Sequence, residues 1–296
     1  MTDRKTFARP LEGMAWMLAS GLSFVGVNTI VRALGTDLPV AQSAFIRFAF
    51  GVVFLLPVLP GLIRGGLPAA AIGLSLGRGV VHVVAVLFWF YAMARIPMAH
   101  VTAIGYLNPV ILMIVGAVFL GETMSLRRAI AIVLALCGTL IVLRPGVEPI
   151  QPGHLAQMGA AVSFAGSYLF AKRLSALVPA SVVVALLSLT VTLGLLPLAL
   201  WVWVPVTLVQ LAGLAVVALL ATVGHYLMTR AFRVAPLTVT QPVTFLSLVW
   251  ASVMGSLVFG EAVDPWVLLG GGLIIGAIFW VTWSERSTLP PTAPEA

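Results

Sequence analysis

Acidic side chains are scarce in this sequence, and charge of either sign is thin. Nine of the 296 residues are Asp or Glu and 8% are charged in all, too few to keep a chain of this length dissolved in water. Cysteine is nearly missing as well. The single Cys137 lies inside an apolar run, which excludes a disulfide framework and a Cys-built metal site and leaves the redox compartment open. There is no H-E-x-x-H, no G-x-S-x-G and no acidic residue within an apolar run, so an intramembrane protease or metalloenzyme would lack its nucleophile–base pair or its ligands. No enzyme, no catalytic residue, no metal and no cofactor is therefore expected. The formal charge of +7 does not point to nucleic acid, because Lys and Arg stand at the ends of apolar stretches and not on a polar, aromatic-bearing surface.

Apolar residues fill the rest. They make up 61% of the chain, and mean hydropathy is +1.13. A bilayer core is crossed by roughly 20 apolar residues, and runs of that length recur from Met14 to Trp283 with short polar breaks. Cutting at Gly, Pro and charged residues places ten spans at 14–33, 40–60, 69–94, 98–120, 126–144, 154–174, 180–201, 206–232, 236–258 and 265–283. The basic N-terminus precedes the first run without a convincing cleavage site, so that run reads as an uncleaved span. The segment 284–296, with Pro290, Pro291 and Pro294, is expected to be a disordered tail. With the N-terminus inside, eleven basic residues fall on the inner side (Arg4, Lys5, Arg9, Arg64, Arg127, Arg128, Lys172, Arg173, Arg230, Arg233 and Arg286) against Arg32, Arg95 and Arg144 outside. Both termini are thus expected in the cytoplasm. Arg47 and Arg78 fall within spans.

An internal repeat divides the chain. Ile96-Pro97 through Gly121-Glu122 aligns without a gap on Ala235-Pro236 through Gly260-Glu261 at an offset of 139, bringing Gly116 onto Gly255. Gly13, Ser23-Phe24, Gly26 and Arg32 match Gly153, Ser163-Phe164, Gly166 and Lys172 at an offset of 140. The chain thus divides into a first five-helix unit over 14–146 and a second over 147–283, after a short cytoplasmic N-terminus (1–13). An odd number of spans per unit inserts the second copy upside down, and substrate sites of such transporters lie near the midplane where the copies meet.

Ionisable residues inside a bilayer are functional candidates. Arg78 and His82, four residues apart, share a face of the third span, and His225 stands beside Tyr226 in the eighth. A histidine there can bind a carboxylate, relay a proton or hydrogen-bond a neutral solute, or simply bond to a neighbouring helix. Asn28, Tyr106, Asn108, Tyr168, Gln241, Thr244 and Ser247 supply uncharged hydrogen-bonding groups, either as the lining of a site or as interhelical glue. Asn108 precedes Pro109, whose ring removes a backbone bond and can open a gap in the helix, and Ser247 is its repeat mate. Among Trp89, Phe90, Tyr91, Phe164, Tyr168, Phe245 and Trp250, which could stack on a solute, Tyr168 and Trp250 are taken as cavity candidates and the rest as core, lipid-facing or interfacial. Glu122 and Glu261 occupy equivalent loops on opposite faces, too far apart to cooperate, and are read as helix caps or partners of a local base.

The paired Gly121-Glu122 and Gly260-Glu261, each followed by a small-residue-rich last helix, together with the two halves, resemble the EamA-type exporters of the drug/metabolite transporter superfamily. Gly270 and Gly276 follow the pattern in the second half, whereas the first half has Ala131 and Cys137, with Gly138 one position later. The resemblance covers about residues 12–285. It implies an all-α integral membrane protein of two inverted five-helix repeats and a cavity lined by the first, third, fourth, sixth, eighth and ninth helices. It further implies alternating access and export of amino acids, aromatic ones included, or related metabolites from a bacterial inner membrane. Drugs or lipids are the alternative cargo. The expected partners are a small solute and membrane lipid, and one chain holds both repeats and can work as a monomer.

Overall fold

A computed structural model describes residues 9–34, 37–58, 66–93, 95–96, 101, 104–105, 107–121, 124–143, 151–260 and 265–286. The described residues are helical, with no strand among them. Helix α1 spans Pro10–Leu34, α2 Val40–Phe54 with a 3₁₀ turn at Leu56–Val58, α3 Ala69–Met93, α4 Leu107–Leu120 and α5 Leu126–Leu143. In the second half α6 spans Pro152–Ser175, α7 Ala180–Trp201 and α8 Leu208–Val234. A single turn, Leu237–Thr240, then leads through a 3₁₀ segment, Gln241–Phe245, into α9, Leu246–Phe259, and α10 covers Pro265–Arg286.

These elements follow the expected spans, with differences that trace to proline. Helix α2 stops at Phe54, short of the expected residue 60, because Pro57 has no N–H to offer the carbonyl four residues back and its ring crowds that carbonyl, and the chain tightens to 3₁₀. Pro109 lies in a stretch that is helical at 104–105 and again from Leu107, with Tyr106 outside the described residues. The ninth span is the broken one: Pro242 cannot donate to the carbonyl four residues back, and the chain tightens to 3₁₀ across Gln241–Phe245. Helix α10 runs on to Arg286, into the expected tail. Among the described residues, four helices (α1, α3, α7 and α8) are long and apolar enough by length and composition to cross a membrane, and α2 is a shorter apolar helix.

The main helix pairs recur when the halves are exchanged. The α1·α8 pair has its counterpart in α6·α3, α2·α8 in α7·α3, and α1·α9 in α6·α4, while α2·α7 and α5·α10 are their own counterparts. Glycines sit at the crossings. A Cβ on Gly13 would lie 2.4 Å from the Cβ of Ala235, and one on Gly153 would lie 2.7 Å from Ile96 Cγ2; Ala235 and Ile96 are themselves repeat mates. Gly26 against Leu220 at 3.1 Å is mirrored by Gly166 against Val81 at 3.3 Å. In lipid, where apolar surface alone drives no association, such close approach is what holds helices together.

Gly121 and Gly260 end α4 and α9 with φ of 65° and 66°, the left-handed conformation that side chains avoid. The Gly260 N–H closes the last turn on Ser256 O at 3.1 Å. The glycine of each repeated Gly-Glu pair is thus a helix stop, whereas Glu122 and Glu261 lie outside the described residues. Lys172 ends the neighbouring helix differently, donating from Nζ to Phe232 O at 2.5 Å and Ala235 O at 2.8 Å, a cation on the negative end of α8. Gln42, fully buried, bridges both backbone groups of Val204 (2.7 and 2.9 Å) and pins the α7–α8 connection to α2.

Candidate functional site

A cavity of about 220 Å³ opens where the two halves meet. Its wall comes from α1, α3, α6 and α8, from the α4 region at Val101, Gly105 and Asn108, and from the broken ninth span. These are the six helices that the resemblance implied. The wall is built largely of repeat mates: Met17 with Gln157, Gly21 with Ala161, Phe24 with Phe164, Asn28 with Tyr168, Trp89 with Met228, Gly105 with Thr244, and Asn108 with Ser247. The cavity therefore lies on the axis that exchanges the halves, so the same structural position contributes to it twice. It also separates two apolar cores. Met17, Met228 and Tyr168 belong to one, and Phe24, Trp89 and Phe164 pack on the other.

Exchange symmetry fixes positions but not chemistry. Mates differ: Met17 is thioether where Gln157 is amide, and Asn28 is amide where Tyr168 is phenol. Among the described residues no lining residue carries a formal charge. The polar share consists of amides (Asn28, Asn108, Gln157, Gln241) and hydroxyls (Ser20, Tyr168, Thr244, Ser247). Several hydroxyls are already committed as donors: Ser20 to Gly224 O at 2.8 Å, Thr244 to Gln241 O at 2.7 Å, and Ser247 to Thr244 O. What these offer a solute is an acceptor lone pair, while the amides can both donate and accept. Gln157, 3% exposed, has an Oε1 with no partner among the described residues. The aromatic share is Phe24, Trp89, Phe164 and Tyr168, with Phe164 stacked on Tyr168 at 6.0 Å.

Of the residues singled out from sequence, Asn28, Asn108, Tyr168, Gln241, Thr244 and Ser247 line the cavity. Tyr106 lies outside the described residues. Tyr226 is half-buried and off the wall, and Trp250, one turn beyond Ser247, has its ring 41% exposed at the surface. Arg78, His82 and His225 are brought together, but behind the wall. His82 meets Phe164 edge-on at 5.3 Å, His225 meets Phe24 at 5.0 Å, and the two imidazoles lie 5.5 Å apart. His82 Nδ1 and Ser167 Oγ share a hydrogen bond at 2.9 Å, and Arg78 Nη1 donates to Val183 O at 3.1 Å.

Gln157 and Ser20 escaped selection, and Phe24, Trp89 and Phe164 were not chosen as wall. The repeat could have found several of them, since adding 140 to Met17 and Phe24 gives Gln157 and Phe164. Chemistry alone could not, because an isolated Gln near a helix start reads as surface.

Comparisons with known proteins agree with this architecture. The EamA-like transporter family matches the chain twice, over residues 11–144 and 151–283. The S-adenosylmethionine uptake transporter of Rickettsia bellii is 27% identical over 284 residues, spanning 94% of this chain and 95% of that protein. The riboflavin transporter of Vibrio cholerae is 29% identical over 288 residues (94% and 96%), and the pseudopaline exporter of Pseudomonas aeruginosa 26% over 284 (93% and 97%). A solved crystal structure shares the fold with a TM-score of 0.74 at 17% identity, covering 94% of this chain and 99% of its own.

Proposed function

Because this chain belongs to the EamA-like transporter family, a family of membrane carriers and not of enzymes, we propose that it exports small metabolites of the amino-acid class through the cavity by alternating access. In this reading ten helices span a bacterial inner membrane as two inverted repeats, both termini face the cytoplasm, and one copy is the functional unit, bedded in lipid. The observation that carries it is the wall itself, which joins aromatic faces to uncharged hydrogen-bonding groups on the exchange axis. Such a surface holds an apolar or aromatic side chain on one part and a polar head on another. Among the described residues it has no cluster of bases for a highly phosphorylated cargo.

The four amides also favour a second reading, a nitrogen-rich heteroaromatic solute. The S-adenosylmethionine and riboflavin transporters among the relatives carry molecules of that kind. Relatives include both uptake proteins and an exporter, so direction is measured together with cargo. The test is flux in proteoliposomes across radiolabelled amino acids, riboflavin and S-adenosylmethionine, with the gradient imposed in each direction. We expect saturable transport of an amino acid, reduced roughly tenfold by Asn108→Ala or Gln157→Leu through the loss of about 1.4 kcal/mol of binding. Wild-type vesicles matching empty ones for every amino acid, while a heteroaromatic solute moves, would replace the first reading with the second. No transport of any solute would remove both.

A further inference from the structure

Behind the aromatic wall lies a concentration of positive charge with no acidic partner among the described residues. Arg47 on α2, Arg78 and His82 on α3, and His225 on α8 are 8%, 1%, 1% and 4% exposed. Among the described residues no carboxylate forms a salt bridge with any of the four. None is near in sequence either. The nine acidic residues are Asp3, Glu12, Asp37, Glu122, Glu148, Glu261, Asp264, Glu285 and Glu295, and none lies in α2, α3, α6 or α8.

Local bonding leaves the cluster incomplete. Arg78 spends Nη1 on Val183 O, but its Nε and Nη2 have no partner among the described residues; the same holds for Arg47 Nε and His225 Nδ1. Arg47 lies over the Phe48 ring at 4.4 Å, and Phe48 meets His82 edge-on at 5.7 Å. A ring face can partly offset one guanidinium, yet two buried guanidiniums with free N–H groups remain far more costly than a paired set. A guanidinium's spare N–H pair is shaped for a planar or spherical anion.

We propose that this cluster binds one small anion, held by Arg47 and Arg78 with an N–H from the imidazole pair, directly behind the cavity. Tyr168 and Phe164 connect the two sites: both line the cavity, they stack at 6.0 Å, and Phe164 meets His82 edge-on at 5.3 Å. The chemistry admits two sources, the carboxylate of the transported solute or a free inorganic anion. The proposal does not rest on which solute is carried.

Thermal unfolding of the full chain in detergent micelles tests it. Gluconate, too bulky for the site, is replaced stepwise at constant ionic strength by chloride in one series and acetate in another. We expect a saturable rise in Tm of several degrees, lost in Arg78→Gln and Arg47→Gln and kept in part by Arg78→Lys. A response to acetate alone assigns the site to a carboxylate-bearing solute, and a response to chloride assigns it to a free anion. No saturable rise with either anion, or a rise that survives both glutamine variants, overturns the proposal. Should Arg78→Gln fail to fold, Arg47→Gln and His225→Phe carry the same comparison. The readout is equilibrium binding without flux, so failure here and failure of the transport reading are separate results.

Discussion

At Gly13 the space left for a side chain is smaller than a methyl group, and that one fact links the sequence repeat to helix packing. Its mate Gly153 is equally tight, against the mate of the residue Gly13 touches. Substituting Gly13→Ala is expected to lower unfolding stability in micelles by about 1–3 kcal/mol through overpacking, and Gly153→Ala likewise. At Gly73, also helical but with nothing within 4 Å of an added Cβ, the same change should raise stability by roughly 0.5–1 kcal/mol, since alanine restricts the unfolded chain more. Equal effects at all three positions would contradict the packing account. Single residues of the cavity were less legible. Asn108 and Gln241 announced themselves as amides inside apolar runs, whereas Trp250 shared every sequence credential with Trp89 and ended at the surface. Which side of a uniformly apolar helix faces inward is set by its neighbours, and a sequence without amphipathic contrast does not record it.

Helix ends were the most readable elements, because glycine and proline act through backbone geometry that needs no tertiary context. Gly121 and Gly260 are read in the alignment as part of a repeated pair and found in the structure as left-handed stops. Alanine at either position should cost about 1–2 kcal/mol, the strain of a Cβ in that conformation. In Gly121→Ala/Gly260→Ala the two costs should add, as the sites share no partner, which thermal unfolding of the single and double variants will show. Proline is legible as a breaker, and Pro242 breaks the ninth span and sets Gln241, Thr244 and Ser247 around the cavity. Whether a proline interrupts a helix or begins one depends on where the helix starts, and the apolar run alone does not mark that point.

For the whole molecule, one offset in the alignment predicts a pattern of helix pairing, a set of glycine contacts and the composition of a cavity wall, three observations made independently in the structure. In the proposed topology, five helices per copy make the exchange an inversion across the membrane, and inversion is what would allow one wall to open to either side by rocking. The charged cluster behind that wall was half visible from sequence. Arg78 and His82 stood out, but their company with Arg47 and His225 required four helices to be brought together. Labelling of the two Gly-Glu loops measures the inversion directly. With Cys137→Ser as background, Glu122→Cys and Glu261→Cys are exposed in turn to a membrane-impermeant maleimide in right-side-out and inside-out vesicles. Labelling from opposite faces is predicted, and labelling of both loops from one face would contradict the account.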